Sequence, residues 1–121
     1  MAVIMVVEDN PTNLKLVRMV LERSGYEVRE ASGAEEAIAA IQGELPDLVL
    51  MDVQLPGMDG FEAMRLIKNN PLTAKVPVVA LTAFAMRGDE EKILGSGFDG
   101  YLAKPVRYPE LLQTIARFVS L

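Results

Sequence analysis

Unbroken apolar runs punctuate the chain: Val3-Ile4-Met5-Val6-Val7, Leu48-Val49-Leu50-Met51, Pro77-Val78-Val79-Ala80-Leu81 and the shorter Gly100-Tyr101-Leu102-Ala103. Runs of this length without alternation read as strands buried on both faces, the condition of strands inside a parallel sheet. The stretch 26–31 is less apolar and suits a sheet edge. Between the runs, apolar residues recur at helical spacing. Asn10-Pro11 opens a first helix, with a capping side chain ahead of a proline tolerated in the first turn. Leu16, Val17, Val20 and Leu21 form its inward stripe, and Gly25 ends it in a left-handed conformation. Ser32 caps a second helix with Ala37, Ile38 and Ile41 inward, stopped by Gly43. Phe61, Met64, Leu66 and Ile67 mark a third, broken at Asn69-Asn70-Pro71. A fourth begins around Gly88-Asp89, with Asp89 as its cap, and closes at Gly95-Ser96-Gly97. Pro109-Glu110 opens the last, which turns Leu111, Leu112, Ile115 and Phe118 inward.

Five strand–helix alternations with no visible linker or repeat predict one domain over residues 1–121. The expected fold is α/β, a (βα)5 doubly wound parallel sheet of five strands in the order 2-1-3-4-5, helices on both faces. Composition then removes whole classes of chemistry. There is no cysteine and no histidine, which excludes disulfides, thiolate or imidazole metal ligation, and Ser-His or Cys-His catalysis. A formal net charge of -5 argues against direct nucleic-acid binding. The apolar runs are too short to span a bilayer and the first residues lack the basic head of a signal peptide, so a cytoplasmic protein is expected.

What distinguishes the chain is the residue that ends each run. Glu8 and Asp9 follow the first, Ser32 the second, Asp52 the third, Thr82 the fourth and Lys104 the fifth. In the predicted order all but the edge strand deliver these groups to one crevice at the carboxyl end of the sheet, where open α/β sheets bind ligands. Three carboxylates held together repel one another and suit a hard cation such as Mg2+. Thr82 and Lys104 add donors for a dianion beside the metal. Each residue alone has an ordinary explanation as a cap or turn; their joint placement does not. The set is suited to moving a phosphoryl group onto or off a carboxylate.

The stretches VVEDN, LVLMDVQLPGMDG, PVVALTA and GYLAKP resemble, in order and spacing, the receiver domain of bacterial two-component response regulators, a CheY-like fold. The resemblance covers the whole chain. LVLMDVQLPGMDG and ALTAFAMRGDEE are particularly similar to single-domain regulators of the DivK type and to receivers of hybrid histidine kinases. It implies that Asp52 is the phosphoacceptor, that Glu8, Asp9, Asp52 and the backbone carbonyl of Gln54 bind Mg2+, and that Thr82 and Lys104 contact the phosphoryl oxygens. It also implies a cis peptide at Lys104-Pro105. Many receivers carry Asp where this chain has Glu8, whose longer side chain leaves direct and water-mediated ligation both open.

The implied function is signalling. A histidine kinase or histidine phosphotransfer protein modifies Asp52, and the protein catalyses only its own phosphorylation and dephosphorylation. Two other readings compete with it. A turnover phosphatase needs a second acid two residues beyond the nucleophile, where Gln54 stands, and a flavin or nucleotide binder needs a glycine-rich cradle that is missing. Asn10, Asn13 and Leu14 on the first helix are the expected contact for the phosphodonor, Leu14 as an exposed apolar residue outside the inward stripe. Thr82 and Tyr101 are the expected switch pair, bordering a partner-binding face made of the fourth helix, fifth strand and fifth helix. The output partner stays open, as does the choice between a stand-alone regulator and part of a larger protein.

Overall fold

The computed structural model describes residues 2–55, 57–83 and 89–119, the side chains of 89 and 90 excepted. Strands and helices alternate: β1 (Val3–Val7), α1 (Pro11–Arg23), β2 (Glu27–Ala31), α2 (Ala34–Gly43), β3 (Leu48–Asp52), α3 (Gly60–Asn69), β4 (Val78–Thr82), α4 (Asp89–Gly95), β5 (Gly100–Ala103) and α5 (Tyr108–Phe118). The strands form one parallel sheet in the order β2-β1-β3-β4-β5, as the apolar runs predict. β3 and β4, inside the sheet, are buried at every position, whereas the two edge strands, β2 and β5, are only partly buried. β2, with three of its five residues exposed or half-buried, is the one that lacks an unbroken apolar run.

Strand alternation divides the interior into two cores. Met5, Val7, Val49, Met51, Val78 and Ala80 point to one face, where α2, α3 and α4 cover them with residues such as Ile41, Met64 and Ile93. Ile4, Val6, Leu48, Leu50, Val79 and Leu81 point to the other, under Val17 and Leu21 of α1 and Leu111 and Ile115 of α5. Each fully buried aliphatic side chain contributes roughly 1.5–3 kcal/mol by leaving water.

Local signals place most helix ends. Asn10 caps α1, its side-chain oxygen accepting from the N–H groups of Thr12 (2.9 Å) and Asn13 (3.1 Å), with Pro11 at the first helical position. Gly25 follows α1 with a φ of 94°, a conformation that favours glycine. Asp59 caps α3 by accepting from Glu62 N–H at 2.8 Å.

The structure corrects four details. Gly33, not Ser32, is the N-cap of α2; the Ser32 hydroxyl instead donates to the Glu36 carboxylate at 2.8 Å. Leu16 and Leu66, expected inward, are 43% and 46% exposed. On α1 the buried line is Val17 and Leu21, with Leu14 and Val20 packed against the core beside it. Leu14 is therefore half-buried rather than an exposed apolar residue outside the stripe. Adjacent apolar residues differ by about 100° around a helix axis, so a choice between neighbours is settled by how the helix seats on the sheet. The expected cap at Asp89 falls outside the described side chains.

Candidate functional site

The carboxyl ends of β1, β3, β4 and β5 bring Glu8, Asp9, Asp52, Thr82 and Lys104 to one crevice. Asp52 is the last residue of β3 and only 3% exposed; Glu8, immediately after β1, is 2% exposed. Glu8 N–H donates to the Ala31 carbonyl at 3.1 Å, so the β1–β2 ladder sets where its side chain leaves the backbone. Thr82 closes β4 and is fully buried. Lys104 N–H donates to the Thr82 carbonyl at 2.7 Å, which extends the β4–β5 ladder by one step and fixes the root of the lysine. The Lys104-Pro105 peptide is cis.

The lysine then reaches across β4 and β3. Its Nζ lies 2.7 Å from Asp52 Oδ2 and 2.9 Å from Glu8 Oε2. The remaining carboxylate oxygens face backbone: Asp52 Oδ1 accepts from Gln54 N–H at 2.9 Å, and Glu8 Oε1 from Asn10 N–H at 3.3 Å. Burial pushes the Glu8 carboxyl above its ordinary pKa; the Lys104 hydrogen bond opposes this and the neighbouring Asp52 charge adds to it. For Lys104, burial acts to lower the pKa, but hydrogen bonds and charge from Asp52 and Glu8 outweigh it and hold the ammonium above its ordinary value.

One carboxylate oxygen each from Glu8, Asp9 and Asp52 lies within 4.8 Å of the others, with Asp9 exposed to solvent. Three hard anionic oxygens held together, with one ammonium bonded to two of their carboxylates, suit a small divalent cation beside an anion. The backbone around Asp52 is close-fitted. A Cβ on Gly60 would lie 2.4 Å from the Asp52 carbonyl oxygen, so only glycine lets the start of α3 approach the end of β3.

Beside this crevice, Asn13, Leu16 and Val17 of α1 face Pro105, Val106 and Tyr108 across a cleft of about 180 Å³, with Glu8 and Lys104 at its floor. Of the three residues expected to meet the phosphodonor, Asn13 is exposed and lines this cleft, Asn10 is exposed and Leu14 is half-buried; Leu16 also lines the cleft. Sequence reasoning missed the N–H of Gln54 as a partner of Asp52, because a backbone donor leaves no trace in residue type. Tyr101 is half-buried against the core under α2, α3 and α4. Its partner across the ladder is Ala80, two residues before Thr82, so Tyr101 and Thr82 share one face of the sheet.

Residues 4–116 match the family of response regulator receiver domains. This chain belongs to that family. Over 117 residues it is 41% identical to the polar-differentiation response regulator DivK of Brucella anthropi, covering 97% of this chain and 95% of that one. Among solved structures, the receiver domain of sensor histidine kinase PA1611 from Pseudomonas aeruginosa superposes with a TM-score of 0.89 at 37% identity, covering 97% and 96% of the two chains. That receiver has a magnesium ion coordinated in its active-site cleft. The chemotaxis protein CheY4 of Vibrio cholerae gives a TM-score of 0.90 at 29% identity, over 98% and 99%. The chain is thus a two-component signalling receiver with the CheY-like fold expected of it. Among the described residues, no helix of this receiver is long and apolar enough to cross a membrane.

Proposed function

We propose that Asp52 accepts a phosphoryl group from the phosphohistidine of a histidine kinase or phosphotransfer protein, in a Mg2+-dependent reaction, and that the modified protein presents an altered partner-binding face. The observation that carries this reading is Asp52 Oδ2, buried and 2.7 Å from the Lys104 ammonium, with carboxylates of Glu8 and Asp9 beside it. The donor set fits Mg2+, and Glu8, Asp9, Asp52 and the Gln54 carbonyl would hold it. When bound, Mg2+ neutralises charge between these carboxylates and the phosphoryl oxygens.

The chain's own groups divide the remaining work. An Asp52 carboxylate oxygen forms a bond to phosphorus as the donor's phosphorus–nitrogen bond breaks and the imidazole leaves with that electron pair. Lys104, freed from its pairing with Asp52, keeps its ammonium beside the new dianion, where charge-assisted hydrogen bonds are strong. The Thr82 hydroxyl donates to a phosphoryl oxygen. Drawn inward, Thr82 leaves room on its face of the sheet, into which the Tyr101 ring moves, and the surface of α4, β5 and α5 changes for a downstream protein. Asn10, Asn13 and the cleft edge at Leu16, with Leu14 supporting from below, meet the phosphodonor. A cytoplasmic protein without direct nucleic-acid contact fits the negative charge.

Incubation with Mg2+ and a small acyl phosphate should add one phosphoryl group, labile to base and hydroxylamine. Asp52→Asn should gain none, and labelling that persists in that variant defeats the assignment. The switch has its own measurement, the ratio of output-partner affinity with and without phosphorylation. That ratio should fall towards one in Thr82→Ala and Tyr101→Ala.

A further inference from the structure

At the opposite end of the sheet from the reaction centre, the last turns of α2 and α3 diverge around a groove of about 410 Å³. Its walls are Ile38 and Ile41 of α2 and Leu66 and Ile67 of α3; its rim carries the amide residues Gln42, Asn69 and Asn70. No ionisable side chain lines it, although the chain carries 29 charged residues. The Asn70 amide oxygen accepts from Leu72 N–H at 2.9 Å, whereas among the described residues the side-chain amides of Gln42 and Asn69 have no hydrogen-bond partner. Thr73, which also borders the groove, does not share that freedom. Its hydroxyl is committed to the Ile67 carbonyl at 2.6 Å, where it closes the end of α3.

A concave, mostly apolar space in the size range of small-molecule sites, with a few polar groups at one edge, is the usual form of a ligand pocket. We propose that the α2–α3 groove is a second binding site, for a small uncharged molecule with an apolar body and one hydrogen-bonding group. The four aliphatic walls take the apolar body, and the Gln42 and Asn69 amides, each both donor and acceptor, orient the polar group. The absence of charge on the walls selects against ions, because nothing there offsets the loss of their hydration. Leu66 is 46% exposed where an inward-facing helix position would be covered, and such an occupant would cover it. This site is independent of Asp52 chemistry.

N-phenyl-1-naphthylamine, uncharged and with a single N–H, is a suitable probe because its fluorescence rises on leaving water. Titrated against the protein it should give a saturable one-to-one signal. Leu66→Lys places a charge on the wall from an already exposed position and should weaken binding at least tenfold. Ile38→Trp should fill the groove and abolish the signal, with circular dichroism confirming that each variant folds. Met19→Lys, the same kind of change on α1, should leave the dissociation constant unchanged. A signal that never saturates, or one that Leu66→Lys leaves intact, overturns the proposal. So does failure of the dye to bind together with a sedimentation shift from dimer to monomer in Leu66→Lys, which would make the groove a contact between copies.

Discussion

Two lysine–aspartate pairs, one at each end of the sheet, have the same separation and opposite characters. Lys68 Nζ lies 2.7 Å from Asp99 Oδ2 at the amino end, and Lys104 Nζ lies 2.7 Å from Asp52 Oδ2 at the carboxyl end. In the amino-end pair each charge is answered. Asp99 Oδ2 also accepts from Val78 N–H at 2.8 Å, and the Lys68 ammonium also donates to the Val76 carbonyl at 2.8 Å. The pair clasps the end of α3 to the starts of β4 and β5, and one positive charge meets one negative. At the carboxyl end a single ammonium faces Asp52 and Glu8, with Asp9 alongside, and both of its partners are almost fully buried. That end holds excess negative charge in a place poorly served by water. A clasp is complete as it stands, whereas the other end is completed by a cation and an anion from outside.

The largest expected effect separates the two aspartates chemically. Asp52→Asn should abolish phosphorylation by an acyl phosphate, while Asp99→Asn should be labelled like the wild type; intact-mass measurement reads both. Next in size is the metal response. A cation that binds only the folded state at ten times its dissociation constant adds about 1.4 kcal/mol of stability. The melting temperature should therefore rise with Mg2+ in the wild type and barely move in Asp9→Ala. Equal melting in Mg2+ and chelator for the wild type would remove the metal site from the comparison.

The lysines should then part company. Lys68→Met leaves the exposed Asp99 carboxylate with Val78 N–H as its donor and should cost up to about 1 kcal/mol in denaturant unfolding, a loss that Mg2+ does not repair. Lys104→Met should also destabilise the protein in chelator, but there Mg2+ should restore much of the loss, since it supplies the missing positive charge.

The smallest effect is one of pH. Glu8 titrates in the fold above its ordinary value of 4.5, chiefly because it is buried. Protonated Glu8 is therefore the form the fold prefers. Its stabilising contribution is complete below pH 4.5 and is lost as the pH rises through the raised folded value. In chelator, Glu8→Gln should accordingly be more stable than the wild type at neutral pH. The advantage should shrink towards zero as the pH is lowered to 4.5. Urea melts at the two pH values measure it, and a wild type that is the more stable protein at neutral pH would mean that Lys104 fully offsets the burial of Glu8.

The sequence by itself determined the strands, their burial and the chemistry at their ends. A strand buried on both faces must be apolar throughout, so Leu48 to Met51 could be little else, and the first polar residue after such a run marks where the strand meets the crevice. Glu8, Asp9, Asp52, Thr82 and Lys104 were legible on that ground. Tertiary structure decided what depends on how elements seat against one another. The rotation of α1 on the sheet half-buries Leu14 and exposes Leu16, a difference of two positions that the apolar pattern could not resolve. The start of α2 passes its cap to Gly33, because Ser32 spends its hydroxyl on Glu36. The reach of one lysine to two carboxylates, 52 and 96 residues away in the chain, exists only once four strands lie side by side. Residue types state which groups are available; distances of 2.7 and 2.9 Å between them are set by the ladder that aligns their backbones.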